Sequence, residues 1–300
     1  MFKKITYLLA LCLFLSPSLS YAEEESENTK SVGVAIGASA KPIVLQKPWA
    51  AYYADKVPLS SFDPYDLIVF DSQDHPQLKP LSDRGKTLLG YLSLGELEKI
   101  RPYYRAVKSE NILLDENKNW PGSYFVDVRS KFWAKRVIEE LIPQLLHKGF
   151  HGVFIDTLDN PIELERQDPE KFKGMRDASV TLIKAIRYHY PQIPIMVNRA
   201  FEILPELGEH ITMVLGESMY SSYDFTNKKY QKVNENDYRD LVSKLQNFKK
   251  SFPKIRVMSL DYWNPEESDE IKKIYNIQRA NGFEPFVSVL KLDHLTTEPK

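Results

Sequence analysis

From Trp49 onward, short apolar runs alternate with amphipathic stretches. The runs are Trp49 to Ala54, Asp66 to Asp71, Thr87 to Leu94, Gly152 to Asp156, Ile193 to Asn198, Ile211 to Glu217, Ile255 to Asp261 and Phe283 to Val289. Leu67 to Phe70 (LIVF) and Gly152 to Ile155 (GVFI) carry almost no polar residue. Strands covered on both faces have this character, as in a parallel sheet. The spacers predict helices. Lys131 to His147 places Phe132, Val137, Ile138, Leu141, Ile142, Leu145 and Leu146 on one broad stripe, and Gly149 ends it. Ala178 to Tyr190 and Asn236 to Phe252 repeat the pattern, each followed by a proline. Glu270 to Ala280 does the same after Ser268 and stops before Gly282.

Eight strand candidates with intervening helices predict an α/β chain folded as a single (β/α)8 barrel, the TIM-type arrangement. Tyr124 to Val128 is a ninth strand-like piece and reads as part of an enlarged loop after the third strand. An open doubly wound sheet is the alternative, although no Gly-x-Gly-x-x-Gly follows the first strand.

The first residues add a compartment. Lys3 and Lys4 precede an apolar stretch from Ile5 to Leu15, and Ser20-Tyr21-Ala22 offers a cleavage site. Residues 1–22 therefore read as a secretory signal peptide, and the protein as periplasmic or extracellular. The apolar stretch is shorter than the roughly 20 residues a membrane span needs, and no stable membrane insertion is expected after cleavage. Residues 23–47 read as a polar, small-residue linker, 48–292 as the barrel and 293–300 as a tail. Cys12, the only cysteine, lies in the leader, so thiolate chemistry and disulfides are not expected. Loss of Lys3 and Lys4 leaves 38 basic against 41 acidic side chains, a net of −3. That balance is not a nucleic-acid binder's.

A barrel of this kind works at the carboxyl ends of its strands. Read in order, those ends carry Tyr53, Asp71, Glu96, Asp156 with Asp159 beyond it, Asn198 and Arg199 with Glu202 nearby, Glu217 with Tyr220, and Asp261 with Trp263. Any one acid could simply cap the following helix. Acids at most ends, interleaved with Tyr and Trp, suit glycoside cleavage. One carboxyl must protonate the leaving oxygen, the other must face the oxocarbenium-like centre, and aromatic faces stack on sugar rings. Asp156 and Glu217 are the expected catalytic pair, Asp156 as nucleophile and Glu217 as acid/base, with the reverse assignment as the alternative. Tyr53, Asp71, Glu96, Asp159, Asn198, Arg199, Glu202, Tyr220, Asp261 and Trp263 are the expected substrate-binding residues. Trp120 is a further candidate for stacking, and Trp133 a core residue. His147 and His151 straddle Gly149 on the opposite end of the barrel and are read as structural. No cofactor or metal is expected.

Four segments carry a resemblance. GYLSLGE (90–96), GFHGVFIDTLD (149–159), VNRAFE (197–202) and LGES (215–218) resemble the endo-α-1,4-polygalactosaminidase family, in the family's order, over about residues 48 to 292. They are especially similar to the hydrolase domain of Pel-polysaccharide-processing proteins. The resemblance implies a (β/α)8 barrel that cuts α-1,4-linked galactosamine or N-acetylgalactosamine polysaccharide. It also implies an Asp on the fourth strand and a Glu on the sixth, which fall on Asp156 and Glu217. The same placement resembles retaining α-galactosidases, which favours retention. Ala200 stands where the family pattern leads one to expect Gly. Hydrolysis of another α-glycan, or a glycan-binding barrel without catalysis, are the competing readings.

Overall fold

In a computed structural model, which describes residues 48–300, eight strands form one parallel sheet in sequence order. They are β1 (Trp49–Tyr52), β2 (Leu67–Phe70), β3 (Thr87–Ser93), β4 (Gly152–Asp156), β5 (Ile195–Asn198), β6 (Met213–Glu217), β7 (Arg256–Tyr262) and β8 (Glu284–Ser288). The leader and linker expected over 1–22 and 23–47 lie outside the described residues. β2 and β5 are buried at every position, as their unbroken apolar sequence requires with helices outside and side chains within.

Side chains draw the last strand back to the first. The indole of Trp49 donates to the Glu284 carbonyl at 2.8 Å, and its ring packs 5.6 Å from Phe286. The Tyr53 amide donates to the Leu292 carbonyl at 2.7 Å. The result is a nearly closed (β/α)8 barrel. The segment after Leu292 folds back over this seam: the Tyr65 hydroxyl donates to the Thr296 carbonyl at 2.6 Å, and Arg279 pairs with Glu298.

The long predicted helices form where expected, at Met175–His189, Glu235–Ser251 and Ser268–Ala280. The one after the third loop runs from Lys131–Arg136 through a π turn, Val137–Leu141, into Ile142–Lys148, and ends at Gly149 with φ 110°. Its apolar stripe begins at Trp133, whose indole donates to the Leu94 carbonyl at 3.0 Å, while Phe132 faces solvent. Among the described residues, no helix is long and apolar enough to cross a membrane.

Two additions sit on the carboxyl end of the barrel. The enlarged loop after β3 is a three-stranded antiparallel sheet, with Ser123–Val126 between Glu96–Glu98 and Leu113–Glu116. The loop after β6 is a two-stranded ribbon, Ser221–Asp224 against Lys229–Lys232. The additions touch. Trp120 of the first stands edge-on to Phe225 of the second, ring centres 5.6 Å apart. From Phe225 the ring contacts continue through Tyr223 and Tyr230 to Trp263, beyond β7.

Candidate active site

Three adjacent strands deliver the centre: β4 ends in Asp156, β5 in Asn198 and β6 in Glu217. Each then leaves the sheet through residues with a left-handed backbone, Thr157 (φ 66°), Arg199 and Ala200 (φ 55° and 49°) and Ser218 (φ 53°). None is glycine, so each costs about 1 kcal/mol or more and needs its surroundings to hold it.

Those surroundings are polar and specific. The Gly95 amide donates to the Thr157 hydroxyl at 2.8 Å, and that hydroxyl donates to the Asp156 carbonyl at 2.7 Å. Asp159 accepts from the Ala200 amide at 2.8 Å and from Arg199 Nε at 3.0 Å. Arg199 in turn donates to the Glu217 carbonyl at 3.0 Å. Asp261 accepts from the amides of Tyr220 and Ser221 at 2.8 and 2.9 Å and from Gln278 at 2.6 Å.

Within this frame the two carboxyl groups share one donor. Asn198 Nδ2 donates to Asp156 Oδ1 at 2.9 Å and to Glu217 Oε2 at 2.5 Å. Each carboxyl takes a second bond from a phenol. Tyr91 donates to Asp156 Oδ2 at 2.9 Å, and Tyr262 to Glu217 Oε1 at 2.5 Å. Tyr53 stands edge-on to Tyr91 at 5.6 Å. Burial, then the nearby carboxylates, pushes the phenols of Tyr53, Tyr91 and Tyr262 well above their ordinary range. All three therefore stay protonated at any working pH, and Tyr91 and Tyr262 can donate to the carboxyl groups. The Asp156 carboxyl is pushed up to about 6, first by burial and then by the charge of Glu217, against the bonds from Asn198, the Thr157 amide and Tyr91. The Asn198 amide thus lies between the two carboxyl groups and offsets part of their mutual repulsion.

The expected residues divide into two groups. Asp156, Glu217, Asn198 and Tyr53 come together at the mouth. Asp71 stands at the rim, bonded to Arg101 at 2.8 Å. The others hold the frame or lie away from it. Glu96 is buried, its oxygens occupied by Asn117 (2.7 Å), Ser123 (2.5 Å) and Asn160, so it fastens the β3 addition and leaves no oxygen for a sugar. Asp159 and Arg199 brace each other. Glu202 sits outside in an ion network with Arg166 and Arg176. Tyr220 packs on Tyr238 at 5.3 Å, and the Trp263 indole donates to Glu267 at 3.0 Å.

Asp261 is fully buried and points outward, to Gln278 on the helix Ser268–Ala280. β7 runs one residue further than its apolar pattern suggests, and alternation then turns Tyr262 inward and Asp261 outward. Tyr262 and Tyr91 were the residues missing from the expected site. The signal for Tyr91 was present: it lies two residues before Ser93, which pairs in register with Asp156, and so shares its face. His151 serves the opposite end, accepting from the Leu88 amide at 3.0 Å and meeting the Ser82 hydroxyl at 3.0 Å.

Gly95 offers a test of how far the frame controls the centre. A Cβ at Gly95 would lie 2.1 Å from the Thr157 carbonyl oxygen. Gly95→Ala must therefore displace the turn directly after Asp156. Overpacking of this kind costs about 1–3 kcal/mol. A shift of about 1 Å in the reacting geometry costs about 100-fold in rate. The expected result is a folded protein with a modestly lowered Tm and kcat down by about 100-fold. An unchanged kcat would show that the Thr157 turn does not aim Asp156.

No curated protein sequence matches the chain. Among solved structures, the glycoside hydrolase domain of PelA from Pseudomonas aeruginosa is similar, at 25% identity and a TM-score of 0.74, covering 84% of this chain and 98% of that one. Ega3 from Aspergillus fumigatus, solved in complex with galactosamine, shares the fold at 15% identity and a TM-score of 0.64, covering 88% of this chain and all of that one. The family model described as glycoside-hydrolase family GH114 matches residues 35–299. With a near-closed barrel and a shared carboxyl pair at its mouth, the chain is a glycoside hydrolase and belongs to family GH114.

Proposed function

We propose that this protein is an endo-acting, retaining hydrolase of α-1,4-linked galactosamine polysaccharide, with or without N-acetyl groups. Asp156 attacks the anomeric carbon, and Glu217 protonates the leaving oxygen and then activates the water that releases the product. The carrying observation is the double bond from Asn198. Its two lengths, 2.9 and 2.5 Å laid end to end, limit the nearest oxygens of the two carboxyl groups to about 5.4 Å. Retaining pairs stand about 5–5.5 Å apart, and inverting pairs about 6.5–9.5 Å, which leaves room for a water. With the Asn198 amide, and not a water, bridging those oxygens, the arrangement supports direct attack by a carboxylate.

The substrate class is supported by two likenesses, to a PelA hydrolase domain and to a fungal protein solved with galactosamine. The half-buried carboxyl pair suits a sugar that carries an ammonium group. Export through the leader at 1–22 places such an enzyme where exopolysaccharide accumulates, in the periplasm or outside the cell.

The test is incubation with partially deacetylated α-1,4-galactosaminan, sizing of the products and proton NMR of the first-formed anomer. Oligosaccharides of mixed length with α configuration are expected. A β anomer would overturn retention. Binding without any product would overturn the hydrolase reading for this substrate, and monomer as the first product would overturn endo action.

A further inference from the structure

Arg101, in the β3 addition, has a side chain only 10% exposed. Its fork is fully engaged: with Asp71 Oδ2 at 2.8 Å, with Glu98 Oε2 through Nη2 at 2.6 Å, and with the Ser72 hydroxyl at 3.1 Å. These bonds close the rim between β2 and β3. They also leave the guanidinium carbon 5.3 Å from the centre of the Tyr91 ring. The same ring carries the hydroxyl that donates to Asp156 at 2.9 Å. A fixed cation, a phenol and a carboxyl group are thus connected in sequence.

We propose that Arg101 is a positioning residue for the reaction, acting on Asp156 through Tyr91: its charge strengthens the phenol as a donor, and its fork fixes the ring, so that Asp156 stands as an oriented anion. The inference rests on the reading of Asp156 as the ionised member of the pair. A cation beside an aromatic ring is attracted to its face and favours negative charge on the phenol oxygen. A phenol so polarised gives a stronger bond to a carboxylate than to a carboxylic acid.

The surrounding charges fix the sign. Asp71 and Glu98 touch Arg101 and partly cancel it. Lys148 lies behind, its ammonium on the Ser72 carbonyl at 2.7 Å. Glu96 borders the small pocket that Arg101, Tyr91 and Tyr103 line, with its oxygens already bonded. Tyr53 stands edge-on to Tyr91, and Glu217 faces Asp156 across Asn198. Burial and the Asp156 charge raise the Tyr91 phenol, while Arg101 opposes them. Removing the cation exposes Asp156 to Asp71 and Glu98. Removing the charge of Asp71 instead leaves Arg101 less compensated. The two changes must push Asp156 in opposite directions, which a purely structural role for the rim does not predict.

The experiment is the pH profile of kcat/KM on partially deacetylated galactosaminan for the parent, Arg101→Gln, Arg101→Lys, Asp71→Asn and Asp156→Asn. The acidic limb is expected to move up by about half a pH unit in Arg101→Gln and down by a similar amount in Asp71→Asn. Arg101→Lys, which keeps the charge and loses the fork, is expected to lose rate with its limb in the parent position. Limbs that stay fixed, or move together, in Arg101→Gln and Asp71→Asn would overturn the inference. If Arg101→Gln does not fold, the direction of Asp71→Asn decides. Asp156→Asn separates the two claims. Near-parent activity there sinks the assignment of Asp156 itself, whereas an inactive Asp156→Asn with unmoved limbs elsewhere sinks only the role of Arg101.

Discussion

Changing Glu217 to Gln is expected to lower turnover of the polysaccharide by about two to four orders of magnitude. The amide fills the same space beside Asn198 and Tyr262 but carries no proton to give a sugar leaving group. The loss should shrink on an aryl glycoside whose leaving group needs no protonation. Asp156→Asn should lose both substrates, because the covalent intermediate cannot form. The opposite pattern, with Asp156→Asn sparing the aryl glycoside and Glu217→Gln not, would reverse the two roles.

Stability separates lost chemistry from lost fold. The Asp156 carboxyl is pushed up to about 6, above its ordinary 3.8, so the folded protein holds that proton more tightly than the unfolded chain. Any benefit from the protonated group is complete below the ordinary value and lost as pH rises through about 6. Asp156→Asn removes a buried charge and should therefore raise stability at pH 7 by up to about 3 kcal/mol, with the gain fading toward pH 4. An inactive variant with a lowered Tm at pH 7 would point to a damaged frame instead.

The second large effect belongs to Asn198. Its amide donates to both carboxyl groups, and both contacts have carboxylate oxygen on the other side. Asn198→Asp keeps the shape and turns two attractive contacts into oxygen facing oxygen. Such contacts are tolerable only when protons bridge them. A third carboxyl group beside Asp156 would raise its pKa further, and Asp156 would be less free to attack. Activity at pH 7 is expected to fall by at least about 100-fold, and the acidic limb to move upward. Asn198→Ala loses both bonds without adding charge and should leave the limb closer to that of the parent. If Asn198→Asp behaves like the parent, the amide does not control the pair.

Most of the frame was legible in the sequence. All eight strands fall within the apolar runs or one residue beyond them, because strands covered on both faces leave little room for polar residues. Asp156 and Glu217 were legible because each ends such a run. The rest of the site was harder to read, for two reasons. Residue type misled at Asp261, where an acid at a strand end faces the helix layer and a tyrosine beside it faces the mouth. Only the strand's true end sets that parity. Distance misled at Glu96 and Asp159. Their partners, Asn117, Ser123 and Asn160 for one and Ala200 and Arg199 for the other, are brought together by tertiary folding that no local pattern records. Arg101 was invisible for the same reason: nothing local ties it to Tyr91.

The left-handed residues after β4, β5 and β6 bear on how this enzyme tolerates heat and change. Thr157, Arg199, Ala200 and Ser218 are each wound against their natural hand, and the polar clamps around them keep them so. The mouth works like a drawn spring, least relaxed where its chemistry is most demanding. A glycine at one of these positions takes the left-handed turn without strain but lets it wander, slackening the aim of the acid before it, so ruggedness and catalytic accuracy compete for the same few positions.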